Sequence, residues 1–167
     1  MLNENQIIPE LFDEFYFITE QEFQMPVKRN EIPEQINDEF KFTGTNKRKT
    51  LFVHNDINQL SETEKIMLEN LVVKAIGWKM DEFILLNLND NSLKNFQEIK
   101  THFQVEKIIF WGCESFLEQY HIPKKPYEVM RGKELTVLQV EPFNAYISNP
   151  DKKKDLWQAI RQLLDLK

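Results

Sequence analysis

Glycine is scarce in this chain: the four glycines, Gly44, Gly77, Gly112 and Gly132, stand too far apart for a glycine-rich phosphate cradle. P-loop and dinucleotide fingerprints are thereby excluded. One cysteine and three scattered histidines supply neither a closed zinc site nor a cysteine-held cluster, and no disulfide framework can form. No apolar run approaches the roughly 18 residues of a membrane span. The polar, acidic start from Met1 to Glu10 lacks the basic and then apolar pattern of a secretory signal. Basic charge is also short, 21 side chains against 27 acidic ones for a net −6, which argues against a surface that grips nucleic acid everywhere by charge. The expectation is a soluble cytoplasmic protein with no cofactor, no metal and no membrane contact.

What is present suffices for a core. A hydrophobic fraction of 41% over 167 residues fits one folded domain. The acidity is uneven, because residues 1–45 hold ten acids against Lys28, Arg29 and Lys41, a net −7, and the remaining 17 acids and 18 bases give +1. The boundary falls at the polar stretch from Thr43 to Lys49, predicting an acidic N-terminal arm over 1–45 and an α/β domain over 46–167. The arm carries a dense cluster, Leu11, Phe12, Phe15, Tyr16, Phe17 and Ile18, around Asp13 and Glu14. Its prolines Pro9, Pro26 and Pro33 interrupt any long helix. Two readings follow: the arm wraps the domain and completes its core, or the cluster docks on a protein partner.

From Lys49 onward, short apolar runs alternate with helical periodicity. Thr50 to His54, Glu82 to Leu88, Lys107 to Trp111 and Glu134 to Val140 read as strands covered on both faces. Ser61 and Glu64 form a capping box. They open a helix with apolar residues Ile66, Met67, Leu71, Val72, Ala75 and Ile76, closed by Gly77 in the left-handed conformation. A second helix starts near Asn91-Ser92 with Leu93, Phe96, Ile99 and Phe103, and a third runs from Glu114 to Tyr120. Asn149-Pro150 caps a last helix that buries Leu156, Trp157, Ile160, Leu163 and Leu164. The predicted fold is an α/β three-layer sandwich around a four-stranded parallel sheet.

Ligands in such sheets sit beyond the carboxyl ends of the strands, which places Asn55, Asp56, Asn87, Glu141 and Phe143 at a candidate site. Cys113 follows a strand and precedes a helix, where a thiol's pKa can fall, and His54 with Asp56 or Glu141 would be its base and orienter. A lone cysteine after a buried strand is more often a core residue. Asp56, Asp90, Glu114 and Glu141 carry no metal-binding spacing. Lys152, Lys153 and Lys154 fill the first turn of the last helix against its dipole. That choice points to a partner anion or to a solvated face.

The stretch from Phe110 to Trp157 resembles the C-terminal half of the uracil-DNA glycosylase superfamily. It carries Trp111-Gly112, Phe116-Leu117, Arg131-Gly132, a strand to Val140, Pro142, and Asn149-Pro150 followed by Lys153, Lys154 and Trp157. The upstream part, from Leu51-Phe52-Val53 to Phe83-Ile84-Leu85-Leu86-Asn87-Leu88, is more similar to the psi subunits of bacterial DNA polymerase III, small clamp-loader accessories on the glycosylase fold.

The departures from the enzymes are chemical. The resemblance implies a glycine-containing loop after the first strand that positions water, where this chain has His54-Asn55-Asp56-Ile57. It also implies a histidine before the later proline, where this chain has Glu141 before Pro142. A carboxylate there would repel the anionic base that develops as the glycosidic bond breaks. The resemblance therefore implies a non-catalytic interaction protein of DNA replication. Its domain would hold a chi-like subunit, its arm would dock on the clamp loader, and any nucleic-acid contact would be weak or indirect. The alternative is a DNA repair glycosylase with atypical site residues, in which Asn55 or Asp56 positions water. Phe143 lies near where a wedge residue would enter the base stack, but a loop phenylalanine more often packs on its own domain.

Overall fold

The computed structural model describes residues 39–91, 94–122 and 125–166; the cluster from Leu11 to Ile18 lies outside them. Six strands form one mixed sheet: β1 (Phe42–Gly44), β2 (Thr50–His54), β3 (Ile84–Asn87), β4 (Lys107–Trp111), β5 (Val129–Arg131) and β6 (Thr136–Val140), in the order β1-β3-β2-β4-β6-β5. The four predicted strands are all present, and their pairs β3–β2, β2–β4 and β4–β6 are parallel. The four-stranded all-parallel sheet is corrected by β1 and β5, which add antiparallel edges to β3 and β6. Each edge is three residues long, too short to show a period of two. The β1 edge comes from the tail of the segment read as an arm, and Phe40 beside it packs against Phe103 with ring centroids 5.0 Å apart.

Alternation along the central strands divides the core between two faces. Leu51, Val53, Ile108, Phe110 and Val137 face α2 (Phe96–Phe103) and α3 (Glu114–Gln119). Phe52, Ile109, Trp111, Leu138 and Val140 face α1 (Glu62–Glu69), the π-helical turn Asn70–Ile76 that continues it, and α4 (Pro150–Leu164). Helices thus cover both faces of a sheet whose inner strands have almost no contact with water.

Local chemistry places the helix ends. Both halves of the Ser61–Glu64 box form, Gly77 adopts φ +84° as the C-cap, and the Asn149 side chain accepts from the Lys152 amide. α2 begins at Asn95, with a capping box to Glu98, and not near Asn91. The Asn91 side chain is already committed, accepting from the Lys41 amide and donating to the carbonyls of Lys41 and Asn87. Of the apolar set expected for α1 and its continuation, Val72 is buried and Met67, Leu71 and Ile76 pack against the same core. Leu68 and Val72 meet the sheet, while Ile66 is 56% exposed.

The basic cluster at the predicted boundary has an internal partner. The buried Glu82 carboxylate accepts from Arg48 Nη2 at 2.8 Å and from the Lys79 amide, and it pairs with Lys47 at 3.0 Å. Hydrogen bonds from Arg48 and then Lys47 hold its pKa down at about 2. The cluster therefore clamps the approach to β2 onto the approach to β3.

Candidate functional site

The polar residues at the carboxyl ends of the parallel strands form two groups. The first surrounds the end of β2, where His54 sits in register between Asn87 and Trp111. Its strand places it on the α1 face, buried, with its ring edge-on to Phe143 at 5.9 Å. His54 Nδ1 lies 2.8 Å from Asp56 Oδ2, so a neutral ring donates from Nδ1 and leaves Nε2 as the acceptor. The loop that carries Asp56 is held by its carbonyl, which accepts from Asn87 Nδ2 at 3.0 Å and Asn89 Nδ2 at 2.8 Å. Asn87 Oδ1 accepts the Asn89 amide. A cavity of about 450 Å³ adjoins this group and is lined by His54, Asn87, Asp90, Lys41 and Lys65 together with apolar side chains.

Burial pushes the His54 pKa below its ordinary value, against the opposing hydrogen bond and charge of Asp56. The folded state then prefers neutral His54. Its contribution to stability is complete above the unfolded pKa, near 6.5, and is lost as pH falls through the lower folded value. The urea midpoint should fall between pH 7 and 5, and His54→Gln should remove part of that dependence. An unchanged slope in the variant would refute the assignment.

The second group lies where β6 meets α4. Glu141 Oε1 accepts from Lys152 Nζ at 2.6 Å, and Oε2 accepts from the Tyr127 hydroxyl at 2.5 Å. Tyr146 donates its hydroxyl to Tyr127 and accepts from the Glu141 amide. Lys152 and then Tyr127 lower the Glu141 pKa. Burial and the Glu141 carboxylate push Tyr127 up to about 12. With both oxygens engaged, Glu141 is a structural anchor, and Lys152 stands in the first turn of α4 because that turn faces Glu141. Lys153 donates to the Ile147 carbonyl and remains exposed, as does Lys154.

The remaining candidates separate. Asn55 is exposed. Phe143 is fully buried, stacked on Trp111 at 4.3 Å and 18°, so it packs its own domain and is no wedge. Cys113 lies in the core on the α2 and α3 face, its Sγ 3.3 Å from the Trp111 carbonyl, and burial raises its thiol pKa. It is remote in character from a nucleophile paired with His54, which faces the opposite layer. Among the described residues no three His, Cys, Asp or Glu side chains come together in a group able to hold a metal ion, and no helix is long and apolar enough to cross a membrane.

Sequence reasoning gave Asn89 no role beyond a strand-end position, took Asn91 for a helix start, and missed Tyr127 and Tyr146. The asparagines had a signal, the spacing Asn87, Asn89, Asn91 directly after a strand, where short amide side chains bond to nearby backbone. The tyrosines had none, since Tyr127 bonds to Glu141 and Tyr146 at 14 and 19 residues' distance, and the shorter Tyr146–Glu141 link follows no local motif. Comparison with known proteins finds no family model and no curated protein that matches the chain.

Proposed function

We propose that this chain is a non-catalytic interaction protein of the kind implied by its resemblance to psi subunits. The α/β domain is the scaffold, and the N-terminal arm with Leu11, Phe12, Phe15, Tyr16, Phe17 and Ile18 engages a clamp-loader or chi-like protein. The order of the parallel strands, β3-β2-β4-β6 with helices on both faces, is compatible with a three-layer, glycosylase-like sandwich. The observation that carries the functional reading is the spending of the strand-end polar groups on one another. Both Glu141 oxygens and the Asp56 carbonyl are bonded within the domain, which leaves little preorganised to meet developing charge.

One observation favours the second reading, a glycosylase with atypical residues: the His54–Asp56 pair borders a cavity at the strand ends. Two assays separate the readings. The full chain carrying Phe12→Asp, Phe15→Asp and Phe17→Asp should lose co-purification with clamp-loader components that the unaltered chain retains. Incubation of the unaltered chain with uracil-containing single-stranded DNA should give no alkali-labile cleavage. Cleavage that His54→Gln abolishes would establish the enzyme reading instead.

A further inference from the structure

His54 brings an unspent acceptor to the open cavity at the strand ends. The residue is only 5% exposed, its Nδ1 is held by Asp56 at 2.8 Å, and its Nε2 has no hydrogen bond among the described residues. The described side-chain polar atoms that are sealed from solvent without a partner are Trp111 Nε1 and Gln139 Oε1. His54 Nε2 is not one of them, so it meets the space of the cavity of about 450 Å³ that His54 lines. Two charges of opposite sign stand at the same end. The Asn91 side chain clamps the amide and carbonyl of Lys41 beside the 3-10 turn Asn89–Asn91, so Lys41 and Asp90 border the cavity together. Both are exposed, and among the described residues neither side chain has an ion-pair or hydrogen-bond partner. The lining then changes along β3. Leu85, the 39% exposed Met80 and Leu68 of α1 make the end toward the start of the strand apolar.

We propose that this cavity binds a free α-amino acid with a large apolar side chain, of the leucine or methionine kind. Its carboxylate accepts from Lys41 Nζ, its ammonium group donates to His54 Nε2 and Asp90, and its side chain runs toward Leu85 and Met80. Each pairing follows from what the protein group can do. A neutral ring whose Nδ1–H is committed to Asp56 can only accept at Nε2, a lysine can only donate, and an ionised carboxylate can only accept. A ligand that satisfies all three carries donors and an anion on neighbouring atoms, with an apolar body attached. A purely anionic ligand would leave His54 unmet and bring like charge to Asp90. The volume falls within the roughly 300–1,000 Å³ of ligand pockets. Asp56 acts as a positioning residue, and the Asn87 and Asn89 side-chain amides hold its loop. The inference goes beyond the interaction reading: it makes the scaffold domain a small-molecule binder and depends on neither the arm nor a protein partner.

The test is titration calorimetry of the full chain with L-leucine at neutral pH, together with the nitrogen NMR resonance of His54 Nε2. Saturable binding that shifts this resonance is expected. Leucinamide, which lacks the carboxylate, and N-acetylleucine, which lacks the ammonium charge, should each bind roughly tenfold weaker or worse, the scale of a lost charge-assisted hydrogen bond. Alanine should lose at least as much through its missing methylenes. Lys41→Gln and Asp90→Asn, at exposed positions that leave the core intact, should each weaken leucine by about tenfold. Absence of leucine binding overturns the proposal, and so does leucine binding that both variants leave unchanged. Equal affinity for leucinamide overturns it too, since an amine alone would then suffice. Free uracil bound in place of leucine would overturn it in favour of the glycosylase reading. Failure to co-purify with clamp-loader components counts against the proposed function and leaves this site standing.

Discussion

Phe143→Ala destabilises the domain by roughly 3–5 kcal/mol, the range for truncating a buried aromatic, and lowers the Tm on the order of 10 °C. The phenylalanine opens a 3-10 turn (Phe143–Tyr146), has no exposed surface, and stacks on Trp111. Tyr146 also meets Trp111, edge-on, with centroids 5.9 Å apart. Removing the ring opens a cavity beside two ring neighbours, Trp111 and His54. The turn that carries Phe143 also carries the Tyr146 hydroxyl to the Glu141 amide, so collapse into the cavity would strain that network. Phe143→Leu keeps most of the volume and should recover more than half of the loss. Thermal denaturation checks this directly. A DNA-intercalating phenylalanine would give the opposite pattern, an unchanged Tm with weakened DNA binding.

The same residue shows where sequence reading reaches its limit. The inner strands were legible because a strand buried on both faces must be apolar throughout, and Thr50 to His54 and Lys107 to Trp111 are reproduced to the residue. The cap at Asn149 was legible because its chemistry is local. Phe143 was legible only as a preference for packing on its own domain, because an apolar residue in a loop after a strand can point into the core or into a ligand; the stacking on Trp111 decides it. Ile66 failed for a related reason. A stripe with helical period marks an apolar face but not its edge: Leu68 and Val72 are interior, Met67 and Leu71 pack at the margin of the same core, and Ile66 falls outside it. Lys152 read as part of a solvated face or as a seat for a partner anion, because its actual partner, Glu141, is 11 positions away across a turn. Local rules price the lysine against the helix dipole and miss the carboxylate that outweighs it.

Gly112→Ala should cost roughly 2–5 kcal/mol, the sum of a left-handed backbone for a residue with a side chain and of overpacking. Gly112 has φ +63° at the turn from β4 into α3. Its amide donates to the Val140 carbonyl at 3.0 Å, which holds the turn against the end of β6. A Cβ added there would stand 2.8 Å from Pro142 Cβ and 3.1 Å from Pro142 Cα. Neither atom belongs to a flexible side-chain end, and Pro142 leads straight into the stacked Phe143. Relief would therefore require shifting Phe143 off Trp111 or opening the Gly112–Val140 hydrogen bond. Gly77 provides the internal control: its φ is +84° and a Cβ would meet nothing within 4 Å, so Gly77→Ala isolates the backbone term at about 1–2 kcal/mol. In urea both variants should lower the midpoint with little change in m, and Gly112→Ala should lower it further. Equal losses would mean that Pro142 yields to the added methyl group, and that the β4 and β6 ends are less rigidly joined than the contact implies. A larger loss at Gly112 would fix the spacing between the turn that holds Cys113 and the one that holds Glu141, and with it the rigid floor on which the strand-end polar groups bond to one another.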